Sequence, residues 1–229
     1  MFFDSYYWLL VLPAMIFALI AQTRVNSTFQ RYSQQMTRSG ITGAEAAALV
    51  LRQNGIYNVQ IQHIQGNLTD HYDPRENVIR LSDSVYHANT VAAIGVAAHE
   101  AGHAVQYAQS YSAIRLRTAI LPVTQIGSQL AWPLLLIGLF FNFESLFVAG
   151  ILFFILATLF QVITLPVEYN ASNRAIHAIA ESGCLNNTEL PGARKVLDAA
   201  ALTYVAALAV SVAQLLRLLL LFGGNRRDD

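Results

Sequence analysis

Charged residues are scarce in this sequence of 229 residues, where Asp, Glu, Lys and Arg together make up 12%, about half the roughly 25% usual for soluble domains. Basic and acidic residues balance at 14 each, and Lys195 is the only lysine. The chain therefore lacks the basic surface that nucleic-acid binding requires. Its single cysteine, Cys184, excludes an intramolecular disulfide. Hydrophobic residues make up 55%, which excludes a disordered chain.

The hydrophobic residues are concentrated in four long blocks. A helix that crosses a bilayer needs about 17–25 mostly apolar residues, so the blocks predict about four transmembrane helices and a multi-pass protein of the cell membrane. The first block follows Asp4 and lacks a small-residue cleavage site, which favours a retained anchor over a signal peptide. The blocks comprise residues 6–21, 119–141, 146–165 and 202–222.

Two polar regions, residues 23–118 and 166–201, separate these blocks. Arginines flank the first region on both sides, and the positive-inside rule then puts both regions in the cytoplasm. The tail conflicts with this topology, because four spans place Arg226 and Arg227 outside. The flanking arginines are Arg24, Arg31, Arg115 and Arg117.

Local signals predict a small α+β arrangement in the first polar region. Thr42 and Glu45 have capping-box spacing and open a helix that ends near Asn54 and Gly55. A helix over about 90–109 follows the strands, with Asn89 or Thr90 as its cap. Three strands are predicted between the two helices, at Ile56–Ile64, Leu68–Tyr72 and Val78–Leu81, with the last two paired as a hairpin around a turn-rich connection.

The second of these helices contains the sequence His99-Glu100-Ala101-Gly102-His103. Residues i and i+4 share one face of a helix, so His99 and His103 can bind one Zn²⁺ while Glu100 takes a proton from zinc-bound water. Gly102 allows another backbone to approach closely. The residues before the motif are small and apolar, and a buried helix does not carry three ionisable side chains without a reason.

A catalytic zinc site needs a third protein ligand, and Glu168 is the best candidate. It follows the third apolar block, and two membrane crossings between His103 and Glu168 would return the chain to the same side. Pro166 suits the start of a new helix. The alternative role of Glu168 is a carboxylate that the dipole favours in the first turn of that helix. The other available ligands include His63, His71, His87 and His177.

Further side chains have weaker claims on the site. Ser172 shares the helical face of Glu168, four residues away, and is either a hydrogen-bond partner of a ligand histidine or an ordinary helix serine. Groups that could stabilise a developing oxyanion are His71, Tyr72, Tyr86 and His177, and the alternative for each is a purely structural role.

Several motifs resemble the YugP-type membrane zinc metallopeptidases of bacteria. The resemblance implies a zinc peptidase of the gluzincin type, with Glu168 as third ligand beside His99 and His103. Asn170 departs from the family, in which an aspartate is expected at this position, and Ser172 stands where many other gluzincins have an aspartate. The motifs that carry it, in chain order, are Ser39–Glu45, Leu68–Pro74, Arg80–Ser82, Val96–Ala104, Leu165–Ser172 and Thr203–Ala207.

Together these observations predict an α-helical integral membrane protein with a small α+β, gluzincin-like zinc metallopeptidase domain. We expect a zinc endopeptidase that acts on peptide or protein substrates with Glu100 as general base. The alternatives are a non-catalytic membrane scaffold with structural zinc and a site-2-type intramembrane protease, although the chain has no Asp-Gly motif for the latter. The predicted order is an anchor (1–22), the metallopeptidase domain (23–118), a transmembrane hairpin (119–165), a second catalytic segment (166–201), a transmembrane helix (202–222) and a tail (223–229).

Substrate docking is predicted at the strand Val78–Leu81. If this strand lies at a sheet edge along the cleft, an extended peptide could pair with its backbone. The alternative is an ordinary internal strand.

Overall fold

The computed structural model describes residues 4–225, so the predicted conflict at Arg226 and Arg227 lies outside the described residues. The described chain is mainly helical, with one small sheet. A π-helical turn, Tyr7–Val11, leads into the first helix. The helices are α1 (Leu12–Ser33), α2 (Gly43–Gln53), α3 (Val91–Ala108), α4 (Ser112–Phe140), α5 (Glu144–Ser182) and α6 (Leu190–Asn225), and the strands are β1 (Gln60–His63), β2 (His71–Asp73) and β3 (Val78–Leu81).

Four helices in the described part of the chain are long and apolar enough to cross a membrane, as predicted. These are Tyr7–Ser33, Ser112–Phe140, Glu144–Ser182 and Leu190–Leu221. The chain also divides into two compact units, each made of separate stretches of sequence. Among the described residues, one unit comprises residues 4–21, 115–165 and 203–225, and the other comprises residues 22–114 and 166–202.

Pro166 does not begin a new helix, contrary to the prediction. It lies inside α5, which continues from Glu144 to Ser182. Proline removes one backbone donor, and apolar helices of membrane proteins tolerate this loss when neighbouring groups satisfy the freed carbonyl. Glu168 therefore lies in the interior of a long helix, and the alternative explanation of this carboxylate by a helix N-terminus does not apply.

The three strands form one sheet in the order β1-β3-β2, with β1 parallel and β2 antiparallel to β3. The pairing of β2 with β3 confirms the predicted hairpin. The prediction that the docking strand Val78–Leu81 lies at a sheet edge is wrong. This strand is β3, which lies between the other two strands, and its backbone is hydrogen-bonded on both sides. Among the described residues, the outer strands of this sheet are β1 and β2.

The first strand is shorter than the predicted Ile56–Ile64, and the first predicted residue, Ile56, takes part in the end of α2 instead. Gly55 adopts a left-handed conformation with φ 69°. The Gly55 and Ile56 amides donate to the carbonyls of Arg52 and Leu51 at 3.0 Å each. These two bonds form a Schellman motif, which uses Ile56 before the strand begins at Gln60.

Both predicted caps are present. Thr42 and Glu45 form a complete capping box at the start of α2, and the Thr90 hydroxyl accepts from the Ala93 amide at the start of α3. Helix α3 lies in the core of the unit formed by residues 22–114 and 166–202. Its small residues leave almost no surface exposed, among them Ala93, Ala97 and Ala101. Small side chains let neighbouring helices approach closely, and this packing prepares the site on α3.

Candidate metal centre

The helix α3 places two imidazoles on one face, one turn apart. The ring centroids of His99 and His103 lie 4.7 Å apart, as expected for an i, i+4 pair on a helix. Glu100, between them in sequence, is buried with 8% of its surface exposed. A buried carboxylate beside two imidazoles needs a polar or charged partner, since an isolated buried charge is costly.

Glu168 on α5 faces both histidines. Its Oε2 atom lies 3.3 Å from His99 Nε2 and 3.4 Å from His103 Nε2, and only 2% of the residue is exposed. Donor atoms of these three side chains all lie within 4.8 Å of one another, and they form a group that could hold a metal ion. The structure thus brings the three predicted ligands together, although Glu168 lies 65 positions after His103 in the sequence.

A close contact between backbones makes this convergence possible. A Cβ atom built on Gly102 of α3 would lie 2.7 Å from the carbonyl oxygen of Ala171 on α5. That distance is too short for any side chain, so glycine is required if α3 and α5 are to keep this separation. The close approach that the sequence predicted for Gly102 is present.

Hydrogen bonds hold the far side of each imidazole. The Ser172 hydroxyl lies 3.1 Å from His99 Nδ1, which confirms the predicted contact of Ser172 with a histidine of this group. Gln106 Oε1 lies 3.0 Å from His103 Nδ1. Both Nε2 atoms are therefore directed towards Glu168, the arrangement in which a second partner orients a metal-binding histidine.

The donor set fits a zinc ion. Two ligand atoms at about 2.0–2.1 Å from a tetrahedral zinc are about 3.3–3.4 Å apart, and the distances from Glu168 Oε2 to the two Nε2 atoms are 3.3 and 3.4 Å. Burial opposes protonation of His103, but hydrogen bonding to Glu168 and the nearby charge of Glu100 outweigh it and raise the His103 pKa above its usual value. A bound cation would stabilise the negative charge that is concentrated around His103.

Asp70 is a further acidic group beside this site that the sequence analysis did not single out. Its carboxylate accepts from the Ser82 amide at 2.7 Å and from the Ser82 hydroxyl at 2.9 Å. Burial raises the Asp70 pKa and the charge of Glu100 adds to this effect, while the bonds from Ser82 oppose it. The loop before β2 therefore places a second carboxylate in the electrostatic environment of Glu100.

The remaining predicted candidates do not join the three-residue group within residues 4–225. His63 Nε2 pairs with Asp83 at 2.7 Å, His71 Nδ1 contacts the Thr69 carbonyl at 2.9 Å, and Tyr72 donates to Asn77 at 2.8 Å. The oxyanion roles proposed for His71, Tyr72, Tyr86 and His177 stay predictions.

A network that the sequence analysis missed surrounds His103. Gln106 is completely buried and donates to the Val167 carbonyl at 2.8 Å and to Asn170 Oδ1 at 3.0 Å. Arg174 Nε donates to the same Asn170 oxygen at 2.7 Å. A polar residue three positions after a motif histidine, within an otherwise apolar helix, is the signal that could have identified Gln106.

Comparison with known proteins agrees with the geometry in pointing to a metal-binding protein. The sequence profile of a family described as "Putative neutral zinc metallopeptidase" matches residues 7–223. The chain belongs to this family. A relative, "Putative membrane protease YugP" of Bacillus subtilis (strain 168), is 46% identical over 220 residues, which cover 96% of this chain and 98% of the relative. No solved structure matches the chain significantly.

Proposed function

We propose that the chain is a membrane-anchored zinc endopeptidase of the gluzincin type. In this proposal His99, His103 and Glu168 hold the zinc ion, and Glu100 is the general base. The observation that carries it is the pair of 3.3 and 3.4 Å distances between Glu168 and the two imidazoles. Membership of a family described as zinc metallopeptidases supports the same reaction.

The proposed reaction is hydrolysis of a peptide bond by water. Bound zinc supplies a Lewis acid that lowers the pKa of a water molecule to about 7 and polarises the scissile carbonyl. Glu100 accepts a proton as the water oxygen bonds to the carbonyl carbon, and it returns that proton to the amide nitrogen as the carbon–nitrogen bond breaks. Its place beside His99 on α3 suits this role, because a residue next to a ligand stays close to the metal.

Glu100→Gln tests the role of the base separately from metal binding. The amide cannot accept the proton, so we expect hydrolysis to fall by about 10²-fold or more, while the purified protein keeps about one zinc per chain. His99→Ala and Glu168→Ala should instead lose the metal. Glu181→Gln on exposed helix surface is the matched control and should retain both properties.

Substrates blocked at both ends distinguish an endopeptidase from an exopeptidase, because only an endopeptidase needs neither terminus. Comparison of protein N-termini in cells that carry wild-type or Glu100→Gln protein should then identify natural substrates. A Glu100→Gln protein that hydrolyses peptides at the wild-type rate would refute the mechanism. Full complementation of a deletion by this variant would support the scaffold alternative.

We also propose that residues 23–118 and 166–201 form the catalytic part and lie on the cytoplasmic side. The arginines at the borders of residues 23–118 support this side. A reporter inserted at Gly66 should give a cytoplasmic signal, and one inserted at Asn142, between α4 and α5, should give an external signal. The opposite pair of results would place catalysis outside the cell.

A further inference from the structure

A series of hydrogen bonds leads from Arg174 to the imidazole of His103. Arg174 Nε donates to Asn170 Oδ1 at 2.7 Å, and Gln106 Nε2 donates to the same oxygen at 3.0 Å. The other Nε2 proton of Gln106 is donated to the Val167 carbonyl at 2.8 Å. The remaining polar atom of Gln106, its Oε1, lies 3.0 Å from His103 Nδ1.

The donor and acceptor roles in this series can be assigned in one direction only. A guanidinium group has donors and no acceptor, so Asn170 must present its oxygen to Arg174 and therefore also to Gln106. A backbone carbonyl only accepts, so the Val167 oxygen independently requires the amino group of Gln106 on the same side. Two separate partners thus fix the orientation of an amide that would otherwise be ambiguous.

The orientation of Gln106 determines which nitrogen of His103 carries a proton. Gln106 Oε1 can only accept, so His103 Nδ1 must be the protonated nitrogen. A neutral imidazole with its proton on Nδ1 has its lone pair on Nε2, and Nε2 is the atom that lies 3.4 Å from Glu168 Oε2. His99 is held differently, because the Ser172 hydroxyl near its Nδ1 atom can rotate to donate or to accept a hydrogen bond.

We propose that Gln106 is a positioning residue that fixes His103 in the tautomer required for metal binding, and that Arg174 acts on Gln106 through Asn170. The proposal rests on the proposed function, because it takes zinc as the ion that His103 binds. It assigns roles to three side chains that do not themselves contact the metal. It also explains the acceptor at position 170, since either asparagine or aspartate presents an oxygen to both donors.

Substitutions at Asn170 provide a matched test of the proposed series. Asn170→Asp keeps an acceptor for Gln106 and Arg174, whereas Asn170→Leu removes it at similar size. We expect Asn170→Leu to weaken zinc binding by about tenfold, the lower end of the usual effect of disturbing a partner of a ligand histidine, because the Val167 carbonyl still holds the Gln106 amino group. Asn170→Asp should stay within about threefold of wild type. The measurement is the zinc dissociation constant of the full-length, detergent-purified protein, in competition with a chromogenic chelator.

Gln106→Met removes both polar functions at similar volume, including the direct partner of His103, and should weaken zinc binding by about 10–100-fold. Thermal unfolding of the zinc-free variants separates misfolding from loss of positioning. A wild-type zinc affinity in Gln106→Met would overturn the positioning role of Gln106, and equal affinities in Asn170→Asp and Asn170→Leu would overturn the part of the proposal that reaches Arg174 through Asn170. A wild-type protein that binds no zinc, with His99→Ala indistinguishable from it, would overturn the proposed function as well.

Discussion

Replacement of Gly102 by alanine tests whether the separation of α3 and α5 controls the metal centre. The added Cβ would lie 2.7 Å from the Ala171 carbonyl oxygen, and every near neighbour at this position is backbone. Carbon–oxygen contacts of this kind relax at about 3.3–3.6 Å. The two helices must therefore separate by about 0.6 Å, because a backbone carbonyl has no rotamer that could move aside.

Two opposing effects determine the stability of this variant. Overpacking costs about 1–3 kcal/mol, while replacing a helical glycine by alanine returns about 1 kcal/mol. The net loss is about 0–2 kcal/mol, so the fold should survive. Metal geometry is more demanding, since ligand distances must hold within about 0.2 Å. A displacement of about 0.6 Å between Glu168 and the two histidines is three times that tolerance.

We therefore expect Gly102→Ala to weaken zinc binding at least about tenfold while the zinc-free protein remains folded. Zinc affinity is measured by chelator competition and stability by thermal unfolding. Gly95→Ala is the matched control on the same helix, because its Cβ would meet Ala193 at 3.4 Å, an ordinary contact. That variant should bind zinc normally and gain up to about 1 kcal/mol. Wild-type zinc affinity in Gly102→Ala would refute the argument.

Two further predictions concern the unit formed by residues 22–114 and 166–202. Thr42→Ala removes the side chain that caps α2 and should lower the free energy of unfolding by about 1 kcal/mol, measured by thermal unfolding; an unchanged midpoint would contradict the capping role. Burial raises the Asp70 pKa, with the charge of Glu100 adding to it against the bonds from Ser82, so the folded state binds this proton more tightly than the unfolded state. Stability of the chelator-treated protein should therefore fall as pH rises from the unfolded pKa of about 4 through the raised folded value, and Asp70→Asn should reduce that dependence relative to wild type.

Local patterns were sufficient for much of the fold and for part of the candidate site. Long apolar blocks predicted four helices that can cross a membrane, since that property depends on composition and length alone. The capping box at Thr42 and the helical spacing of His99 and His103 depend on neighbours within one or two turns. Glu168 could be proposed from connectivity, because the intervening chain has the length of two crossings.

Tertiary structure decided what depends on distant partners. Pro166 fits the sequence rule for a helix start. It nevertheless lies inside α5, because the apolar helix that begins at Glu144 continues through it. Val78–Leu81 has the composition of a strand, but only the parallel pairing with β1 makes it internal. Gln106 is an ordinary helix residue in sequence, and the role that we propose for it depends on acceptors 61 and 64 positions away. Periodicity and capping specify a residue's own element, whereas register and hydrogen-bond partners between elements are set when the chain packs.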